Sequence, residues 1–203
     1  MPHALLSAYD KVGLASFAQS LQALGWSLLA SAGTAKYLNQ QAIWTRDVAE
    51  LVGPPILGHK VVTLSREIHA ALMADDSPEE QAELTRIGVP QIDLVYVDLY
   101  PLAEAVLDQD CTLQSVIEKT DIGGPAMLRS AAKGRRFVLC QTSQFAPVLD
   151  YILEQAQSPK HQNEHERFIS SLVWQAEVAV ARYCHVSADY HFSYAEAHDY
   201  RLL

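Results

Sequence analysis

The chain has 203 residues, enough for one sizeable α/β domain and short for two, so a single domain over residues 1–203 is the expectation. Hydrophobic residues make up 49% and charged residues 19%, which supplies the apolar surface needed to offset chain ordering and excludes a largely disordered chain. The 15 Lys and Arg against 24 Asp and Glu leave a formal charge of -9, which argues against a nucleic-acid or membrane partner and requires a local basic pocket for any polyanion.

In chain order, the apolar run Ala4 to Ala8 predicts a strand, and Val12 to Leu24 predicts a helix because Leu14, Phe17, Leu21 and Leu24 share one face. Trp26 to Ala30 predicts a second strand, and Ser31-Ala32-Gly33-Thr34 supplies the small polar residues of a turn and helix cap before Ala35-Lys36-Tyr37-Leu38. Gly53-Pro54-Pro55 breaks two elements apart, and Asp75-Asp76-Ser77-Pro78-Glu79-Glu80 reads as a solvated loop capping the next helix. Ile92 to Leu99 and Phe137 to Cys140 predict strands buried on both faces. The expected fold is therefore α/β, with three layers and a mostly parallel sheet flanked by helices.

From about residue 150 the chain changes character. Tyr151 to Gln157 and Glu166 to His185 are helix-like, and Ser187 to Leu203 is a Tyr/His-rich tail expected to pack on the domain or on a second subunit. No run approaches the roughly 20 apolar residues of a spanning helix, and Met1-Pro2-His3 enters the first strand without a basic leader, so a cytoplasmic location is expected. Cys111, Cys140 and Cys184 have no paired spacing, and His59 and His69 have no metal-ligand pattern, so neither a disulfide framework nor a metal is implied.

Ligands of parallel sheets bind beyond the carboxyl ends of the strands, where helix N-termini present free N–H groups to anions. Tyr9-Asp10-Lys11, Ser31-Ala32-Gly33-Thr34 and Asp98-Leu99-Tyr100-Pro101 fall at such junctions, and Asp121-Ile122-Gly123-Gly124-Pro125 precedes a helix. A phosphate suits them: Gly33 admits close backbone approach, Ser31 and Thr34 add hydroxyls, and Lys11 adds charge. Each is also readable as strand-to-helix punctuation, Asp121 as an N-cap, and Lys133 as a lysine favoured at a helix C-terminus.

Taken together, these segments resemble one family, the IMP cyclohydrolase domain of the bifunctional purine-biosynthesis enzyme that also carries AICAR transformylase. Ser7-Ala8-Tyr9-Asp10-Lys11-Val12-Gly13-Leu14 resembles its first loop, and Ser31-Ala32-Gly33-Thr34-Ala35-Lys36 its second. Asp98-Leu99-Tyr100-Pro101 is similar to its Asn-Leu-Tyr-Pro, and Asp121 to Lys133 follows it nearly residue for residue. The resemblance implies a methylglyoxal-synthase-like fold and a hydrolase of purine biosynthesis, independent of metal and cofactor. Its reaction would be ring closure of 5-formamidoimidazole-4-carboxamide ribonucleotide (FAICAR) to IMP with loss of water. It also implies that Lys11, Ser31, Gly33, Thr34 and Thr63 hold the phosphoribosyl part of a ribonucleotide. Tyr100 and Asp121, with Ile122, Gly123 and Gly124, would face the base, and Lys133 would donate or accept a proton. The family is usually dimeric, so a homodimer is a further expectation.

Two features complicate that transfer. Asp121 and Lys133 on one straight helix would lie about 18 Å apart at roughly 1.5 Å per residue, so the helix bends, the two act on different parts of the substrate, or Lys133 comes from a second copy. The family's Arg-Val-Lys-Thr-Leu-His-Pro signature reads Lys60-Val61-Val62-Thr63-Leu64-Ser65-Arg66 here, with Val62 in place of the lysine. Tyr9 replaces a serine, Ala32 a glycine and Asp98 an asparagine. Three readings stay open: a cyclohydrolase in which Lys60 or Arg66 supplies the lost charge, an enzyme acting on a related ribonucleotide, or a nucleotide- or partner-binding module without turnover.

Overall fold

The computed structural model describes residues 1–58, 61–158 and 161–197. Five strands form one sheet, β1 (His3–Ser7), β2 (Ser27–Ala30), β3 (Arg46–Asp47), β4 (Leu94–Val97) and β5 (Phe137–Leu139), in the order β3-β2-β1-β4-β5. Every pairing is parallel, with Leu5 opposite both Leu29 and Val95, so the sheet is wholly rather than mostly parallel among the described residues. The four residues of β4 are all buried, as expected for a central strand covered on both faces. The two-residue β3 went unrecognised in the sequence because Arg46-Asp47 carries no apolar alternation.

The connections between the parallel strands are helical. After β1 and β2 the chain runs through α1 (Leu14–Ala23) and α2 (Ala32–Gln40) toward one edge of the sheet. Four helices connect β3 to β4 or lead out of β4: α3 (Ala49–Val52), α4 (Arg66–Met73), α5 (Pro78–Ile87) and α6 (Leu102–Leu107). Two more, α7 (Leu113–Lys119) and α8 (Gly123–Lys133), lead to β5, and α9 (Phe145–Gln157) and α10 (Gln162–Ala197) end the described chain. The direction of the crossovers reverses between β1 and β4, which opens a crevice beyond their carboxyl ends.

The buried faces follow helical periodicity. In α1 Leu14, Phe17, Ala18 and Leu21 are buried, and in α8 Gly124, Met127, Leu128, Ala131 and Ala132 are. Phe17 stacks on Phe145 at 4.0 Å, and Phe145 meets the Tyr96 ring edge-on at 4.7 Å, locking α1 and α9 to β4. The capping expectation at residues 75–80 is met by Ser77 at the N-cap, Pro78 at the first helical position and Gly88 at φ 75° closing α5.

The tail differs from expectation. Helix α10 does not stop near His185 but continues to Ala197, since no Gly or Pro interrupts residues 162–197. Its buried stripe of Ile169, Leu172, Ala176, Val180 and Tyr183 runs along α8 and β5. Beyond the sheet, Tyr183 joins Leu102 and Val116 in a small second cluster, against which Val186 and Tyr190 pack. The three cysteines are free, and no helix among the described residues is long and apolar enough to cross a membrane.

Candidate active site

The first wall of the crevice is built from the ends of β1 and β2. Ser7 Oγ donates to Ser31 Oγ at 3.1 Å, Ser31 Oγ donates to Thr34 Oγ1 at 3.3 Å, and Thr34 Oγ1 accepts the Ala8 N–H at 3.1 Å. Thr34 is 1% exposed, so this chain of hydroxyls is fixed in place. Ala32 and Gly33 open α2 and are exposed, and first-turn amides have no intrahelical partner, so their N–H groups point outward as anion donors. No atom lies within 4 Å of where a Cβ on Gly33 would stand, so that glycine is free for ligand approach rather than required by packing.

Lys11 folds back over this wall, donating to the carbonyls of Ala8 and Tyr9, the latter at 3.2 Å. Burial pulls its pKa down, and the negative charges of Asp98 and Asp10 oppose that shift. Asp98, at the end of β4, accepts the Asp10 N–H at 2.7 Å and so ties the β1 loop to the β4 loop. Burial raises the Asp98 carboxyl pKa, and the Asp10 and Tyr9 amides counter it. Across the same junction the Tyr9 and Tyr100 rings meet edge-to-face, with centroids 4.9 Å apart.

The second wall is the N-terminus of α8. Both carboxylate oxygens of Asp121 accept from the Gly124 N–H, at 3.2 and 3.1 Å, so Asp121 caps the helix while keeping lone pairs available. A Cβ on Gly124 would strike that carboxylate and stand 2.9 Å from Leu99 Cδ2, and one on Gly123 would stand 2.6 Å from Thr63 Oγ1. Both positions therefore need glycine for close approach. Asp121 is also held from behind: its N–H donates to Tyr183 Oη at 2.6 Å. Nothing local in the sequence points to this partner, which lies 62 residues away. A helical stripe ending on Tyr183 was the available signal.

Of the predicted site residues, Lys11, Ser31, Gly33 and Thr34 come together at one end of the crevice. Tyr100, Asp121, Gly123, Gly124 and Thr63 gather around the other, whereas Ile122 is exposed and lines a groove between α8 and α10 with Pro125 and Tyr183. Lys60 lies outside the described residues.

Lys133 is not brought to the crevice. Helix α8 runs unbroken from Gly123 to Lys133, so ten rises of roughly 1.5 Å put Lys133 about 15 Å from the Asp121 end, which removes the bent-helix alternative. It instead lines a groove of about 470 Å³ with Arg66, Met73 and Leu84. Arg66 faces that groove too and pairs with Glu67 at 2.9 Å. Val62 is half-buried and packs on the main core.

A family model described as "MGS-like domain" matches residues 13–126, more than half of the chain. The chain belongs to that family. A solved structure titled "Crystal structure of ForH" is 27% identical, with a TM-score of 0.75 over 94% of this chain and 98% of that one. The MGS-like match takes in the Ser31–Thr34 turn, Asp98, Tyr100 and the first turn of α8, and it begins just after Lys11. Helices α9 and α10 fall outside the match, yet α10 supplies Tyr183 to the back of the second wall.

Proposed function

We propose that the crevice binds a phosphorylated ribonucleotide and closes FAICAR to IMP with loss of water, as a step of purine biosynthesis. The observation that carries this reading is the continuity of the two walls. An anion-binding helix start with Ser31, Gly33, Thr34 and Lys11 is joined through Tyr9, Asp98 and Tyr100 to a second helix start bearing Asp121. A ribose phosphate suits the first end and a polar base the second.

In the reaction the carboxamide nitrogen attacks the formyl carbon and loses one proton, the formamido nitrogen loses its own proton as its double bond to that carbon forms, and both protons leave with the former formyl oxygen as water. Asp121 serves as the proton acceptor. The amides of Ile122 and Gly123, at the positive end of the α8 dipole, stabilise the oxyanion. Tyr100 protonates the departing oxygen. Lys133 enters this scheme only from a second copy of the chain, and Thr63 orients the substrate against Gly123.

The test is to incubate the purified protein with FAICAR and follow IMP by chromatography and mass spectrometry. IMP above the uncatalysed rate is expected, and its absence at high enzyme concentration overturns the reading. Val62 on the core, together with Tyr9 and Asp98 at the base end, favours a second reading in which the substrate is a related ribonucleotide. A thermal shift with IMP but no turnover of FAICAR would show that the crevice binds a ribonucleotide without this ring closure, and turnover of a related ribonucleotide would select the second reading.

A further inference from the structure

We infer that the exposed ring of Tyr9, braced edge-to-face by Tyr100, stacks on the planar base of a ribonucleoside 5′-monophosphate, and that Asp98 is the positioning residue for Tyr9; this rests on the nucleotide reading above. Tyr9 is 56% exposed, an unusual state for an aromatic ring in a short, well-anchored loop. The loop is pinned on both sides of the ring. The Ala8 N–H is bound to Thr34 Oγ1 at 3.1 Å and the Asp10 N–H to Asp98 Oδ2 at 2.7 Å. The Tyr9 carbonyl itself accepts from Lys11 Nζ at 3.2 Å.

These anchors fix the ring relative to the hydroxyls and ammonium at the phosphate end. The edge-to-face contact with Tyr100, at 71° between planes, leaves aromatic face open to a ligand. The helix start gives the ligand a direction. The exposed first turn of α2, with the Ser31 and Thr34 hydroxyls beside it, takes the phosphate, which leaves the base for the ring of Tyr9. Two departures from the resembled family, Tyr9 for serine and Asp98 for asparagine, thus act as one device: the carboxylate holds the turn, and the turn presents the ring.

Calorimetric titration with IMP and with ribose 5-phosphate tests this in the wild type, Tyr9→Phe, Tyr9→Ser, Asp98→Ala and the Tyr9→Ser/Asp98→Ala double variant. Loss of one base–aromatic contact predicts about a tenfold weaker IMP affinity for Tyr9→Ser, with ribose 5-phosphate unchanged. Tyr9→Phe should match the wild type for both ligands. Asp98→Ala should weaken IMP binding when Tyr9 is present and not in the Tyr9→Ser background.

Unchanged IMP affinity in Tyr9→Ser, or an equal loss for ribose 5-phosphate, overturns the stacking role. So does a wild type that binds ribose 5-phosphate and not IMP. Equal Asp98→Ala effects in both backgrounds overturn the positioning role. A wild type that binds neither ligand overturns the nucleotide reading itself.

Discussion

Thr34 shows how a single hydroxyl serves both fold and site. It is buried, accepts the Ala8 N–H and adjoins Ser31, so a Thr34→Val variant keeps the shape and strands a buried donor. The expected outcome is a stability loss of about 1–3 kcal/mol in urea denaturation, with weaker ribose 5-phosphate binding. Val62 is the opposite case, an apolar side chain where the resemblance calls for a lysine. Its half-buried position lets a longer chain extend its head toward solvent, so Val62→Lys is expected to raise turnover of FAICAR. An unchanged rate would mean that the crevice is built around other cations.

At this scale the clustering of Ser31, Gly33, Thr34 and Lys11 was legible because it follows from local turn geometry, which spacing along the chain reports. Tyr183 was not legible, because its contact with Asp121 depends on how α10 docks.

Helix α8 carries the second wall, and its first turn depends on absent side chains. Gly124→Ala would push a methyl group into the Asp121 carboxylate and against Leu99 and Val97. We predict a destabilisation of about 1–3 kcal/mol by chemical denaturation, accompanied by loss of activity as Asp121 is displaced. The same helix meets α4 through His69 Nδ1 and Ser130 Oγ, 2.7 Å apart, and burial lowers the His69 pKa below 6.5.

A group with a lowered folded-state value contributes stability that is fully present above the unfolded pKa and is lost as pH falls through the folded one. Stability should therefore fall on acidification through pH 6.5 and below, and less steeply in His69→Gln, which retains a partner for Ser130. Equal slopes in urea denaturation would contradict this. Helix periodicity made α1 visible before the fold was known, and the Asp121–Lys133 segment matched a known family. The end of α10 was obscured because its polar, aromatic sequence has no single apolar face.

Across the whole molecule, the sheet order puts both walls at the one place where the crossovers reverse, and this explains why residues from the ends of β1, β2 and β4 converge on the first turn of α8. Alternating strands and helices predicted a parallel sheet, but alternation does not encode strand order, so the convergence itself could not be read from spacing. The same limit applied to Lys133: the sequence gives its distance along α8, and only the fold shows that it faces the Arg66 groove.

The net charge of -9 sharpens the consequence, since an acidic chain must gather its few cations wherever an anion binds. The most direct test is a crystal structure of the protein with IMP bound. The account predicts the phosphate within hydrogen-bond distance of Ser31, Gly33 and Thr34, with Lys11 beside it and the base against Tyr9, Tyr100 and Asp121. A phosphate seated in the Arg66–Lys133 groove, or a crevice left empty at saturating IMP, would contradict it.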